Sequence, residues 1–432
     1  MTLSRTARWT AGWLLAAAWV LSFPLLSPLE PHRLWGWCAA CGYLAAAVAA
    51  ALGRRRAALA AALLGAVAVP LLWLVLTGRG QSEVMVIERS GRLLLESGRL
   101  YVDRPATVGE YTPYLPGMAL LGIPGALLGG GDGWAVRLLG DARIWCAAAL
   151  FAGLWAGRRL LGAAPSPLLP VLVASPLVAM PLSVSGVDLP LAGLCCLALA
   201  AAAAGRPVVA GAALAGACAL KWTALPAVAV AVALLAVCRG GRSAVRCGVT
   251  AAGGTALLVL PGALLQPDEL WRQVFAFPTG RAEVATPAGS PFPGHLLAEL
   301  GSWGWYLTTA LLVLGGLAVA LSLVVRPPRT LVAAADRLAI GLTTAFLLAP
   351  AGRFGYLALP VLLALWSRTA GAPPRPTRIV AGSRQPRILP SVVPGSSRPS
   401  SATAGDSATA GCPPSSGREA SETEKPSCSY WA

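Results

Sequence analysis

The chain has 432 residues, of which 56% are hydrophobic and 12% charged. A soluble domain carries about 25% charged residues, so the surface of a large soluble fold is excluded. The net charge of +16 would suggest nucleic acid in a soluble protein, but the arginines sit in short clusters between apolar runs. That is the pattern that orients membrane helices, and no nucleic-acid partner is expected.

Apolar runs approaching the bilayer-spanning length of about 20 residues recur almost to residue 369. They predict an all-α, polytopic integral membrane protein with candidate spans at 9–27, 35–52, 57–77, 142–157, 166–184, 189–205, 207–220, 223–238, 247–265, 303–325, 331–350 and 354–369. The basic start and apolar core of the N-terminus resemble a signal peptide, but no small-residue cleavage site follows, so the segment reads as the first membrane helix. Among ten cysteines, Cys146, Cys195, Cys196 and Cys218 fall inside apolar runs. Cys38 and Cys41 form a CxxC within an apolar span rather than at a strand–helix junction, and all read as small buried hydrophobes.

The clusters Arg5 and Arg8, Arg54 to Arg56, Arg158 and Arg159, Arg206, Arg239 to Arg246, and Arg326 and Arg329 share one face if the N-terminus is cytoplasmic. This requires the piece 114–129 to dip and return rather than cross, and Pro116, Gly117, Gly122, Pro124 and Gly125 argue against a continuous helix there. Loops 78–113 and 266–302 then face outward. The expected organisation is a membrane domain over 1–369, followed by a Pro-, Ser- and Gly-rich tail, 370–432, too poor in apolar residues to pack and expected to be a disordered cytoplasmic extension.

Residues 81–110 hold nine of the 52 charged residues. On a helix starting near Ser82, Glu88, Arg89, Arg92, Glu96 and Arg99 fall within one arc of about 100°, the solvated stripe of an amphipathic helix on the membrane surface. Glu83 lies about 120° beyond that stripe, beside Val86, Ile87 and Leu94. It is either an acid favoured in the first helical turn by the macrodipole or an acid facing the interior, where desolvation would raise its pKa toward that of a general base.

An acid after a span, an amphipathic helix, the pair Leu100 and Tyr101, and then YTPYLP from Tyr111 to Pro116 resemble the polyprenol-phosphate-mannose-dependent α-(1→2)-mannosyltransferases, glycosyltransferase family 87 of the GT-C fold, in an actinobacterial-type form. SGVDLPLAGLCCLALA (185–200) is similar to a family stretch and places Asp188 at its usual Asn. GACALKWTALPAV (216–228) resembles the family's KLTPL element and places Lys221 on its lysine. This chain departs in having Glu83 for the usual Asp and YTPYLP for an FTYPP-like motif.

The resemblance implies a GT-C-like bundle of about 10–12 membrane helices with an amphipathic outer-loop helix. It implies a cell-membrane hexosyltransferase, active face outward, that moves mannose with inversion from a polyprenyl-phosphate sugar to a lipid or glycan acceptor among membrane lipids. Glu83 would be the base, with Glu110 as second candidate. Lys221, Arg353, Asp188, Tyr101 and Tyr111 would contact substrate. Lys221, one of two lysines in the chain, could instead snorkel, and Arg353 and Glu110 could be an interfacial anchor and a solvated loop acid. No nucleotide cofactor is implied, and a divalent ion would have Glu83 or Glu110 to bind. The same residues would also suit a transporter or flippase for a lipid-linked sugar, or a catalytically degenerate structural relative.

Overall fold

The computed structural model describes residues 4–129, 131, 133–164 and 166–370; the tail expected beyond 370 lies outside them. The described residues are nearly all helical and form no strand, only an isolated bridge between Gly289 and Gly352. Seven helices are long and apolar enough to cross a membrane: Arg5–Leu26, Glu30–Ala51, Arg55–Leu76, Trp222–Arg239, Gly241–Leu265, Ser302–Val325 and Leu331–Leu348. The pair Trp134–Gly140 and Ala142–Leu160, bent by 54°, would make an eighth, and Leu189–Ala203, Pro207–Leu220 and Phe354–Ala370 are shorter apolar helices. The protein is a multi-pass membrane protein.

Local chemistry explains where the apolar runs deviate from simple spans. The run 166–184 splits into Leu168–Val173 and Pro176–Val184, because Ser175 is extended and Pro176 opens the second piece. Asp141 breaks the run before Ala142 by capping, its carboxylate accepting from Arg143 N–H at 2.9 Å. The segment 114–129 forms a 3-10 turn over Pro116–Leu121 and a five-residue helix, Ile123–Leu127, not a continuous span.

Helices in lipid gain little from burying leucine, so close packing of small residues joins them. A Cβ placed on Gly42 would lie 2.7 Å from the Gly65 Cα, and one on Gly153 would lie 2.4 Å from the Gly193 carbonyl oxygen. Only glycine permits these two crossings. Some buried polar side chains are met by backbone, as where Trp35 Nε1–H donates to the Ala66 carbonyl at 2.8 Å and Tyr43 O–H to that of Ala174 at 2.6 Å. In contrast, only 11% of the most apolar window of Gly241–Leu265 and of Ser302–Val325 is buried, which leaves these helices an apolar surface suited to lipid. Cys146, Cys195, Cys196 and Cys218 are buried free thiols; Cys38 is half-buried, and Cys41 is exposed on its apolar helix.

The two long polar loops are stitched together by two glutamines. Gln266, buried, accepts from the Leu100 and Tyr101 N–H groups at 2.8 and 3.1 Å and donates to the Tyr101 carbonyl at 3.0 Å. Gln273, also buried, accepts from Thr112 N–H at 3.0 Å and donates to the Val102 carbonyl at 2.7 Å. Each side chain does for the loop backbone what a neighbouring strand would do.

Candidate active site

Glu83 stands in the first turn of the helix Ser82–Ser97, which ends at Gly98 in the left-handed region at φ 69°. Its side chain turns inward, as its place off the charged stripe requires. The stripe itself is only partly solvated. Arg92, Glu96 and Arg99 are exposed, but Arg89 donates to the Gly109 and Glu110 carbonyls at 2.6 and 2.9 Å, and half-buried Glu88 accepts from Ala142 N–H at 3.2 Å. These two side chains fasten the helix to its neighbours, a use that helical spacing does not reveal.

Inside, Glu83 meets Arg353, Nη1 to Oε1 at 2.5 Å. Arg353 is extended and precedes the turn Phe354–Leu357 that opens the last described helix. Beside it, Lys221 is ion-paired with Asp188. Lys221 sits at the break where the helix Pro207–Leu220 ends, in extended conformation at φ −147° and ψ 138°. Asp188 directly precedes Leu189–Ala203 but makes no capping bond; its carboxylate is committed to Lys221. The Lys221 ammonium also lies 5.1 Å from the Tyr114 ring centroid and 5.5 Å from that of Tyr356, within cation–π range.

Four charges contributed by four segments therefore meet at one place, with side chains between 13% and 25% exposed. Burial pushes the Glu83 carboxyl above the ordinary range against the opposing pull of Arg353 and Lys221, while Asp188 adds to the rise. For Lys221, burial disfavours the charge, but Asp188, Tyr356 and Glu83 outweigh it and hold the ammonium above an ordinary lysine. The set contains a carboxylate suited to take a proton and two fixed cations suited to meet developing negative charge.

The model of glycosyltransferase family 87 matches residues 111–350, more than half of the chain. The chain belongs to glycosyltransferase family 87. No curated protein and no solved structure matches it. As a family 87 glycosyltransferase it is an enzyme by class, which sets the transporter reading aside. The matched region contains Tyr111, Asp188 and Lys221, whereas Glu83 precedes it and Arg353 follows it, so only the geometry brings these two beside the matched residues.

The remaining residues singled out in the sequence stand elsewhere. Glu110 closes a capping box with Thr107; its Oε2 accepts from Ala106 and Thr107 N–H at 2.7 and 3.3 Å. Those N–H groups hold its carboxyl below the ordinary range, the opposite of a base awaiting a proton. Tyr101 is buried and donates its O–H to the Tyr114 carbonyl at 3.0 Å, so it supports Tyr114 from behind. Tyr111 is buried and stacked on Phe277 with ring centroids 4.2 Å apart. Among the described residues, no three His, Cys, Asp or Glu side chains converge as metal ligands would.

Sequence reasoning did not single out Tyr114, Tyr356 or the strap Ala288–Ser290. Gly352 N–H donates to the Ala288 carbonyl at 2.9 Å, Ser290 N–H to the Gly352 carbonyl at 3.0 Å, and Phe354 N–H to Ser290 Oγ at 3.2 Å. The backbone on both sides of Arg353 is thereby fixed by the second long loop. Tyr114 lies within YTPYLP and Tyr356 three residues after Arg353, so an aromatic in a proline-rich turn and an aromatic near a candidate cation were the available signals.

Proposed function

We propose that the chain transfers a hexose, mannose by the resemblance, from a polyprenyl-phosphate sugar to an acceptor hydroxyl at the outer face of the cell membrane, with inversion. The observation that supports this most is the meeting of Glu83, Arg353, Lys221 and Asp188 at one partly open place. Ionised Glu83 takes the proton of the acceptor hydroxyl as its oxygen attacks the anomeric carbon. The bond from that carbon to the phosphate oxygen breaks, and the electron pair leaves with polyprenyl phosphate. Arg353 and Lys221 stabilise the growing charge on that phosphate from fixed positions.

The ion pairing suits this sequence of events. Arg353 is held by Glu83 and Lys221 by Asp188. The donor's monoanionic phosphodiester offers Arg353 a bidentate partner, and its arrival leaves Glu83 with one cation fewer and a greater tendency to accept a proton. Glu83 has one methylene more than aspartate, which gives it the reach to exchange partners.

The test is transfer of labelled mannose from polyprenyl-phosphate mannose to membrane acceptors by purified wild type and Glu83→Gln in parallel. Wild type is expected to transfer and the variant to lose about 10²- to 10⁴-fold in turnover, the usual contribution of a general base. Transfer from a nucleotide sugar instead, or equal turnover by both proteins, would overturn the assignment.

A further inference from the structure

The face of the helix Ser82–Ser97 turned away from Glu83 borders a separate cavity of about 310 Å³. Val84, Glu88 and Arg92 line it from this helix, and Arg79, Arg137, Asp141 and Arg143 from its neighbours. Four arginines and two carboxylates thus share the cavity; Arg143 is committed to Asp141 and Arg137 donates to the Leu76 carbonyl at 2.8 Å, so the arginines at the rim are Arg79 and Arg92. Asp141 is held in a buried fork, accepting from Arg143 Nε at 2.9 Å and Nη2 at 2.5 Å, with Arg143 1% exposed. Glu88 turns one oxygen to Ala142 N–H. At the exposed rim Arg79 reaches Glu30 at 2.6 Å, and Arg92 is exposed to solvent.

The surroundings of this basic cavity are apolar and exposed. Leu127 and Trp134 are each 71% exposed, and Met85 and Leu139 are also exposed. They belong to the helix Ser82–Ser97 and the short helices Ile123–Leu127 and Trp134–Gly140, and the last packs against the end of the spanning helix Arg55–Leu76. Guanidinium groups flanked by short helices that expose leucine and tryptophan, at the end of a membrane helix, match the layer where phosphates meet acyl chains.

We propose that this cavity binds the phosphodiester head group of an anionic membrane lipid, with the acyl chains lying along Leu127, Trp134 and Leu139. Arginine suits the task because its planar fork pairs with two phosphate oxygens at once. The site is on the reverse of the helix carrying Glu83 and shares no residue with the charged quartet.

The full chain, purified in detergent, would be examined by native mass spectrometry with phosphatidylglycerol and with phosphatidylcholine. The variants Arg92→Ala and Arg79→Ala/Arg92→Ala leave the buried Asp141–Arg143 pair intact, and a melting curve identifies any loss of fold. Phosphatidylglycerol should be retained over phosphatidylcholine, and its binding should weaken roughly fivefold for each arginine removed. Equal retention of the two lipids, or unchanged retention by a folded double variant, overturns the proposal. Displacement of the lipid by millimolar inorganic phosphate also overturns it, by reassigning the cavity to a soluble anion.

Discussion

Burial and pairing pull Glu83 in opposite directions, and burial wins, so its carboxyl titrates above the ordinary range. The sign of the pH dependence follows. A base acts when ionised, so its active fraction falls as pH drops through this raised value. The acid limb of kcat/KM for sugar transfer should therefore sit above the usual carboxylate range, and a limb at ordinary carboxylate pH would contradict the role of Glu83. Glu110 provides the contrast, because its N–H partners keep it ionised. Glu110→Gln should leave the limb unmoved and lower the melting temperature slightly through the weakened capping box. Lys221 and Asp188 form a coupled case. Removing only the ammonium, as in Lys221→Met, strands a half-buried carboxylate and should destabilise the protein by about 3 kcal/mol, the low end for a broken buried pair. The double variant Lys221→Met/Asp188→Asn should recover most of the melting temperature but none of the turnover. Recovery of turnover as well would show that the pair serves the fold alone.

At the scale of elements, the sequence revealed the helices because apolar runs and helical spacing are local properties. The amphipathic helix was expected to start near Ser82 and does, and Glu83 was expected off the charged stripe and lies there. Asp188, Lys221 and Arg353 each interrupt or adjoin an apolar run, where a charge is costly, and that cost made them visible. Their meeting was not visible in pair detail. The Glu83–Arg353 contact joins residues 270 positions apart, and no periodicity records such a distance. The stitching glutamines were invisible for a different reason, since Gln266 and Gln273 look like ordinary loop residues until the backbone they satisfy is seen. Their importance can be measured. Gln273→Leu leaves the Thr112 N–H and the Val102 carbonyl without partners, each costing about 1–3 kcal/mol when buried. A lowered melting temperature is expected, together with loss of activity, because the loop bearing Tyr111 and Tyr114 loses its tie to the loop that fixes Arg353. A variant that melts like wild type would show that water replaces the glutamine.

For the whole molecule, the placement of the quartet matters more than any one contact. Each helix that brings a site residue to one end carries arginine at the other. Leu189–Ala203 runs from Asp188 toward Arg206, Pro207–Leu220 from Arg206 to Lys221, and Arg55–Leu76 from the Arg54 to Arg56 cluster toward Glu83. The arginine ends also meet, since a Cβ on Gly205 would lie 2.6 Å from Arg239 Nε. The charged quartet and the basic clusters therefore occupy opposite ends of these helices. Because arginine-rich ends remain on the cytoplasmic side, the quartet should face outward, where a lipid-linked donor and a cell-envelope acceptor would reach it. Single cysteines substituted at Arg104, in the first long loop, and at Arg242, in the exposed first turn of the span Gly241–Leu265, provide the check in a cysteine-free background. A membrane-impermeant maleimide should label the first in intact cells and the second only after permeabilisation. The reverse pattern would place the site inside and require a donor presented from the cytoplasm.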